Sequence, residues 1–523
     1  MIDIIKQLPA LIVVIPLLAA PLAVIIHNRK AVYAFTCVVM SVNFLVGLAL
    51  VYQVMTHGTI SYHFGGWLPP IGIEFRIDAF SAIVVLFITL SSFVTLPWMY
   101  RSVAHDIEYK RQYLFYTMML LCYAGLLGMA VTGDVFNLFV FLEISSISTY
   151  VLIGMSRDRR GIIAAFNYLI MGTIGATFYI IAVGLMYQVT GTLNMVDMAA
   201  RLAELKGNRT IIIALALMFT GLGLKAAVFP LHSWLPRSYT FAPDAATTFL
   251  AATATKVSLY ALLRTSMVMF VTSAPQLVDP YGNIVIILGI CGMIIGAAAA
   301  TRQYSTKRIL AYSSISQMGY MIMAIGLSRT DGMVLIGTGI FACIFHMFSH
   351  SLLKGLLFMG SGALSYRGLG PWLLRLQGRG RSMPITMTFF IIGGLGLIGV
   401  PGTIGFISKW YLIRAAVLAD NWFAVVAIVV TSAMAVVYFW RLIEVAYLMK
   451  PPTNAPEAKE APLSMLIPMG VMASLIIVFG FYNKPIVQLA NQSVEHLLIT
   501  HEPIGVPLTP LSGSHGEVEG GQH

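Results

Sequence analysis

A charge in the middle of a membrane span costs about 3 kcal/mol or more, so every ionisable residue placed there is a candidate for function. This sequence holds a short set of them. Glu143, in GDVFNLFVFLEISS, is the only acidic residue near the middle of any long apolar run. It reads either as a proton-exchanging group or as a structural partner for a buried cation. Lys225 stands five residues before Pro230 in GLKAAVFPLHSWLP. Proline inside a span removes a backbone hydrogen bond and breaks the helix, and non-helical backbone at depth is tolerated only beside protein or a water-filled cavity. A lysine next to such a break therefore faces a hydrated path. His232 follows the break and reads equally as a further residue of the proton path or as a satisfied structural histidine. Lys256, in AATATKVSLYAL, lies about 12 residues into its span, too deep to snorkel to an interface.

His346, His350 and Lys354 recur at i, i+4 and i+8 in HMFSHSLLKGLLFMG. That spacing puts all three on one helical face, in a row about 12 Å long at ~1.5 Å per residue. Three protonatable groups in line suit a proton wire. Metal binding by the two histidines is disfavoured, because no third ligand is evident and Lys354 would repel the cation. Lys409, in GVPGTIGFISKW, sits beside a second break marked by Pro401, Gly402 and Gly405. Paired interrupted helices in the two halves of a chain point to an inverted-repeat transporter. Four lysines and one glutamate at depth would leave a large net positive charge if all were ionised. Burial disfavours that, so these groups are expected to exchange protons, with water, along the mid-plane. Glu143 close to Lys225 would hold that lysine charged, and separating the pair would release its proton.

The elements that position these residues follow from composition. The 523 residues are 58% hydrophobic and only 10% charged, with mean hydropathy +0.84. A soluble domain carries about 25% charged residues. Apolar runs of roughly 20 residues, the length of a spanning helix, recur throughout, whereas barrel strands would alternate in segments of about 10. The expected fold is an all-α polytopic membrane protein of about 14 spans. They lie near 8–27, 31–53, 77–100, 113–131, 133–155, 162–189, 210–230, 244–271, 283–301, 309–327, 333–363, 385–412, 422–449 and 463–482. Span 7 continues as a half-helix to about 241. The cysteines add no chemistry: Cys37, Cys122, Cys291 and Cys343 lie in apolar runs without CxxC spacing, as small buried residues do.

Of the 32 Lys and Arg, 18 fall in loops after odd-numbered spans, 7 on the opposite side and 7 within or at the ends of spans. This bias puts both termini outside the cytoplasm. It also explains the net charge of +11 without nucleic acid. The first run, ending His27-Asn28-Arg29-Lys30, reads as a retained helix, not a cleaved signal. Outside the bilayer, 54–76 suits a hairpin, 193–208 a surface helix, and Pro451–Pro462 a flexible linker. No GxGxxG or Walker motif occurs in a strand–helix setting.

Spans 7 and 12 are five apart, which divides the chain into an N-terminal part at 1–112, five-helix units at 113–271 and 283–449, a C-terminal helix and surface segment at 450–500, and an unstructured tail at 501–523.

Seven stretches in order over roughly 75–445, GDVFNLFVFLE, VTGTLNMVDM, GLKAAVFPLHSWLP, ATKVSLYAL, KRILAYSSISQMGYM, HSLLKGLLFM and GVPGTIGFISKW, resemble the antiporter-like subunits shared by Mrp-type multisubunit Na+/H+ antiporters and respiratory complex I. The resemblance implies about 14 helices in two inverted five-helix repeats, spans 4–8 and 9–13, with spans 7 and 12 broken. It implies proton transfer by the span 5 glutamate and the lysines of spans 7, 8 and 12, here Glu143, Lys225, Lys256 and Lys409. His350 and Lys354 match the histidine and lysine of span 11. GDVFNLFVFLE and TGTLNMVDM are most like the D-type subunits of Mrp antiporters. Some complex I relatives carry glutamate in place of the span 12 lysine. GTIGF differs from the more usual proline-and-serine version.

Two functions from different classes fit. One is a proton-translocating subunit of a monovalent cation (Na+)/H+ antiporter. The other is the proton-pumping membrane subunit of a complex I-like NADH:quinone oxidoreductase or a membrane-bound hydrogenase, with redox centres in partner chains. A membrane partner in inorganic-carbon uptake fits less well, and a bare scaffold leaves the deep lysines beside two breaks unexplained. Either leading reading implies no cofactor or metal in this chain, other membrane subunits as partners, H+ as cargo, and a multi-pass place in a bacterial inner membrane with both termini periplasmic; the antiporter reading adds Na+ as cargo.

Overall fold

The computed structural model describes residues 2–205, 208–266, 278–331, 334–451 and 459–497. The tail expected to be unstructured, and most of the linker expected at Pro451–Pro462, lie outside these residues.

Helices follow one another nearly without interruption. The first six are α1 (Ile2–Ile25), α2 (Arg29–His57), α3 (Ala79–Asp106), α4 (Gln112–Val131), α5 (Val135–Gly154) and α6 (Arg159–Thr190). The surface helix α7 (Met195–Glu204) precedes α8 (Arg209–Lys225) and the half-helix α9 (Trp234–Phe241). Then come α10 (Asp244–Ala252), α11 (Ala254–Ser266), α12 (Val278–Thr301), α13 (Thr306–Gly326) and α14 (Thr338–Tyr366). The last are α15 (Pro384–Ile398), α16 (Ile404–Leu418), α17 (Trp422–Tyr447), α18 (Leu463–Phe481) and α19 (Lys484–Leu497). Many starts are fixed by local chemistry. The side chains of Asn28, Asp78, Asp134, Asp158, Asn194, Asn208, Thr403 and Asn421 each accept from a free backbone N–H of the first turn, as helix N-caps do.

Among the described residues, twelve helical segments are long and apolar enough to cross a membrane. The two remaining expected spans are the broken ones. Span 7 is α8 plus α9 and span 12 is α15 plus α16, and no piece of either reaches the required length by itself. Together they give the expected count of about 14. Span 8 holds a further interruption, between α10 and α11 at Thr253, whose backbone (φ −122°, ψ −61°) leaves helical geometry. Span 11 starts later than expected. Residues 329–331 and 334–336 pair as short antiparallel strands, and the helix begins only at Thr338. The expected hairpin between spans 2 and 3 is present as β1 (Ile60–His63) against β2 (Glu74–Ile77).

Loop contacts separate two faces. After even-numbered spans, Phe75 bridges to Thr132 and Asp134 to Asn194, and Arg264 at the end of α11 binds Asp78 at the start of α3. After odd-numbered spans, the Asp244 amide donates to Asp106 at 2.8 Å, Arg157 donates to the Ile107 carbonyl at 3.3 Å, and Lys307 donates to the Ala242 carbonyl at 2.7 Å. Spans 4–8 and 9–13 each contain five crossings, an odd number, so the second set starts from the opposite face. The fourth crossing of each set is the broken one.

Candidate functional site

The break in span 7 is built from its own residues. Ala227 adopts a left-handed φ of 55°, which L-residues avoid. Trp234 of α9 folds back to donate its indole N–H to the Leu224 carbonyl at the end of α8, at 2.9 Å. Tyr168 of α6 stacks on that indole with ring centroids 3.7 Å apart. Lys225, the last residue of α8, is thereby held under the break. Its ammonium donates to Ser146 Oγ at 2.7 Å and Tyr150 Oη at 2.9 Å, and Glu143 Oε1 stands 3.9 Å away. Glu143, Ser146 and Tyr150 are spaced i, i+3, i+7 on α5 and so share a face. The lysine side chain is 3% exposed, but the Glu143 side chain is 28% exposed, so it opens sideways between the exposed apolar residues Val140 and Ile147.

Lys256 is fully buried and donates to the Ala251 carbonyl. It thus satisfies a backbone acceptor beside the Thr253 interruption. Lys354 of α14 donates to the Leu310 carbonyl at 2.7 Å and to Ser313 Oγ, both on α13. His350 lies within electrostatic reach of Lys256, Lys354 and His346. Its two ring nitrogens are buried with no hydrogen-bond partner among the described residues. Its ring lies parallel to that of His346, at 6.0 Å and 4°. His346 in turn contacts Ser408 Oγ at 3.0 Å and Gln317 Oε1 at 2.9 Å. Lys409, next to Ser408 on α16, donates to the Ile398 carbonyl and Ser432 Oγ, each at 2.9 Å. Its ammonium stands 5.1 Å from the centre of the Tyr320 ring. The Ile398 carbonyl is the free end of α15, so this lysine caps its broken helix much as Trp234 does the other.

The structure therefore brings Lys256, Lys354, His350, His346 and Lys409 into one buried row, and Glu143 and Lys225 into a separate pair. No hydrogen bond among the described residues joins Lys225 to Lys256. His232 lies outside both groups. It is half-buried and stacked on Phe229, with Nδ1 unpartnered among the described residues. Pro230 and Pro401 fall within the two breaks. Ser146, Tyr150, Tyr168, Gln317, Tyr320 and Ser408 complete the site without having been singled out from the sequence. The i, i+3, i+7 spacing of the first two with Glu143 was the available signal for them.

Comparison with known proteins fixes the family. Residues 132–435 match the family described as NADH:quinone oxidoreductase/Mrp antiporter, TM. The chain belongs to that family. It is 38% identical to the N-type subunit of the NADH-quinone oxidoreductase of Desulforudis audaxviator, over 92% of this chain and 97% of the relative. It is 29% identical to the D-type subunit of the Na(+)/H(+) antiporter of Alkalihalophilus pseudofirmus, over 87% and 89%. Among solved structures, a chain of the membrane-bound sulfane sulfur reductase, an archaeal respiratory membrane complex, matches with TM-score 0.86 at 30% identity, covering 94% of this chain and 98% of that one. A chain of the Mrp complex from Dietzia sp. DQ12-45-1b has the same fold, with TM-score 0.86 at 24% identity and coverage of 95% and 98%. This antiporter-like membrane subunit thus has relatives in both cation antiporters and respiratory complexes.

Proposed function

We propose that the chain translocates protons as one subunit of a multisubunit monovalent cation (Na+)/H+ antiporter in a bacterial inner membrane. The observation that carries proton transfer is the row from Lys256 and Lys354 through His350 and His346 to Lys409, buried within the helices and with His350 unpartnered among the described residues. A buried polar group without a partner is costly, and a ring held between two lysines and a second histidine can accept a proton from one side and pass it to the other. Protons entering at Lys256 or Lys354 move through the imidazoles to Lys409, which can reload against Ser432 and the Ile398 carbonyl. At the other end, Lys225 stays charged while Glu143 is near. Movement of Glu143 away leaves the ammonium facing two hydroxyls and promotes release. The lateral opening of Glu143 supports a neighbouring membrane subunit as its cover, because a carboxylate at that depth is not left against lipid.

The second reading, a proton-pumping module of a respiratory complex, is favoured by the 38% identity to a quinone oxidoreductase subunit and by the fit to the sulfane sulfur reductase chain. In that setting the same residues move protons, and the driving redox centres belong to partner chains. Gentle extraction of the tagged chain followed by mass spectrometry separates the two. Several small membrane subunits with no flavin or iron–sulfur chains support the antiporter. Peripheral subunits carrying such centres sink it in favour of the respiratory module.

A further inference from the structure

Outside the buried row, a cavity of about 470 Å³ lies on the face that carries the basic loops. Loops after five odd-numbered spans meet around it, contributing His105 and Asp106, Arg157, Asp244, Lys307 and Arg375. Both acidic and basic groups line it, which suits water and protons better than an ion of one sign. On one wall, Lys307 Nζ lies 2.9 Å from Asp244 Oδ1, with side chains only 6% and 10% exposed. A buried ion pair adds little net stability, so packing alone is a poor reason for this one.

Its placement is informative. Asp244 opens α10, and the Ala251 carbonyl near the other end of α10 holds Lys256. Lys307 lies in the first turn of α13, and one turn further in, the Leu310 carbonyl holds Lys354. The two helices that anchor the deep lysines therefore begin at the cavity. Along α10 the separation between Asp244 and Ala251 is about 10 Å at ~1.5 Å per residue. The Thr248 hydroxyl on α10 and the Ser313 hydroxyl on α13 stand along the interval, and water can bridge the rest.

We propose that this cavity, with the Asp244–Lys307 pair in its wall, is the port that loads protons into the buried row. This rests on the proton-transfer reading of the row. The Asp244 carboxylate takes a proton from cavity water, forming an O–H bond and leaving Lys307 to the Ala242 carbonyl alone. That O–H bond then breaks as the proton passes through bridging water to a neutral Lys354 amine, where an N–H bond forms. Asp244 returns to carboxylate and re-pairs with Lys307. One proton enters and one moves on.

The test uses the intact complex in sealed vesicles of each orientation. Asp244→Asn is expected to lower proton transport at least tenfold with subunit composition unchanged. Thr240→Cys at the cavity is expected to lose at least fivefold of its own unlabelled rate when a membrane-impermeant cationic methanethiosulfonate reaches the basic-loop side. The same reagent on the opposite side leaves that rate intact, as it does for labelled wild type. If Asp244→Asn disrupts assembly, the labelling result decides alone. A near-normal rate in Asp244→Asn, or fully labelled Thr240→Cys that transports freely, overturns the port. His350→Ala, at the ring that every route through the row crosses, separates this from the parent reading. If it is inactive while the port variants are normal, only the port fails; if it too transports normally, the buried row itself is not the path.

Discussion

At the scale of single residues, the Glu143–Lys225 pair depends on an absence elsewhere. A Cβ placed on Gly172 of α6 would stand 2.0 Å from Tyr150 Oη and 2.9 Å from Lys225 Nζ. Gly184 on the same helix has nothing within 4 Å of such an atom. Gly172→Ala is therefore expected to cost about 1–3 kcal/mol, the usual range for overpacking, and to lower proton transport by displacing the lysine. Gly184→Ala is expected to leave both unchanged. Thermal unfolding of the purified complex and vesicle proton uptake measure the two effects, and equal behaviour of the variants would show that the Lys225 cradle is loose. Lys225→Ala and Glu143→Ala are each expected to lower uptake by about a hundredfold, the scale on which positioned acid–base groups act. A normal rate in either removes the pair from the mechanism. The pair could be anticipated from the sequence because a deep charge is costly wherever it points. Its hydroxyl partners Ser146 and Tyr150 share the Glu143 face by spacing, but Ser and Tyr occur in spans for many reasons, so that signal did not single them out.

At the scale of elements, the break between α8 and α9 turns on one buried residue. Ala227 is fully buried at φ 55°, a conformation that costs an L-residue about 1–2 kcal/mol. Ala227→Gly removes that strain but adds unfolded-state entropy, so the thermal midpoint should hold or rise. Ala227→Val adds a β-branch at the same φ with no room for it, and the midpoint should fall together with transport. If valine is tolerated as well as glycine, the turn is mobile and does not hold Lys225 in place. Pro230 and Pro401 announced both broken spans, because proline acts through its own backbone. The Thr253 interruption was hidden, since AATATK contains neither proline nor glycine. Its free carbonyl is taken up by a lysine side chain five residues on, a contact that helical periodicity does not encode. The late start of span 11 was hidden for a related reason. Val334, Leu335 and Ile336 are as apolar as a helix end, and only pairing with 329–331 makes them a strand.

At the scale of the whole molecule, the direction of transport depends on which face meets the cytoplasm. The alternation of loops is internally consistent, because those after odd-numbered spans meet around one cavity and those after even-numbered spans meet each other across the protein. That agreement tests the span count but leaves the molecule free to be turned over. On the 18-to-7 excess of Lys and Arg on the first face we propose that this face meets the cytoplasm, as basic loops do in membrane proteins. Arg159, exposed at the start of α6, and Leu68, 68% exposed beyond β1, sit on opposite faces. In inside-out vesicles an impermeant maleimide should therefore label Arg159→Cys at once and Leu68→Cys only after permeabilisation, with the order reversed in right-side-out vesicles. The alternative pattern would put both termini in the cytoplasm. The Asp244 cavity would then open to the outside, and a chain read as taking protons from the cytoplasm would instead take them from the outer face. One pair of labelling experiments thus fixes the sense in which every proton-transfer step operates.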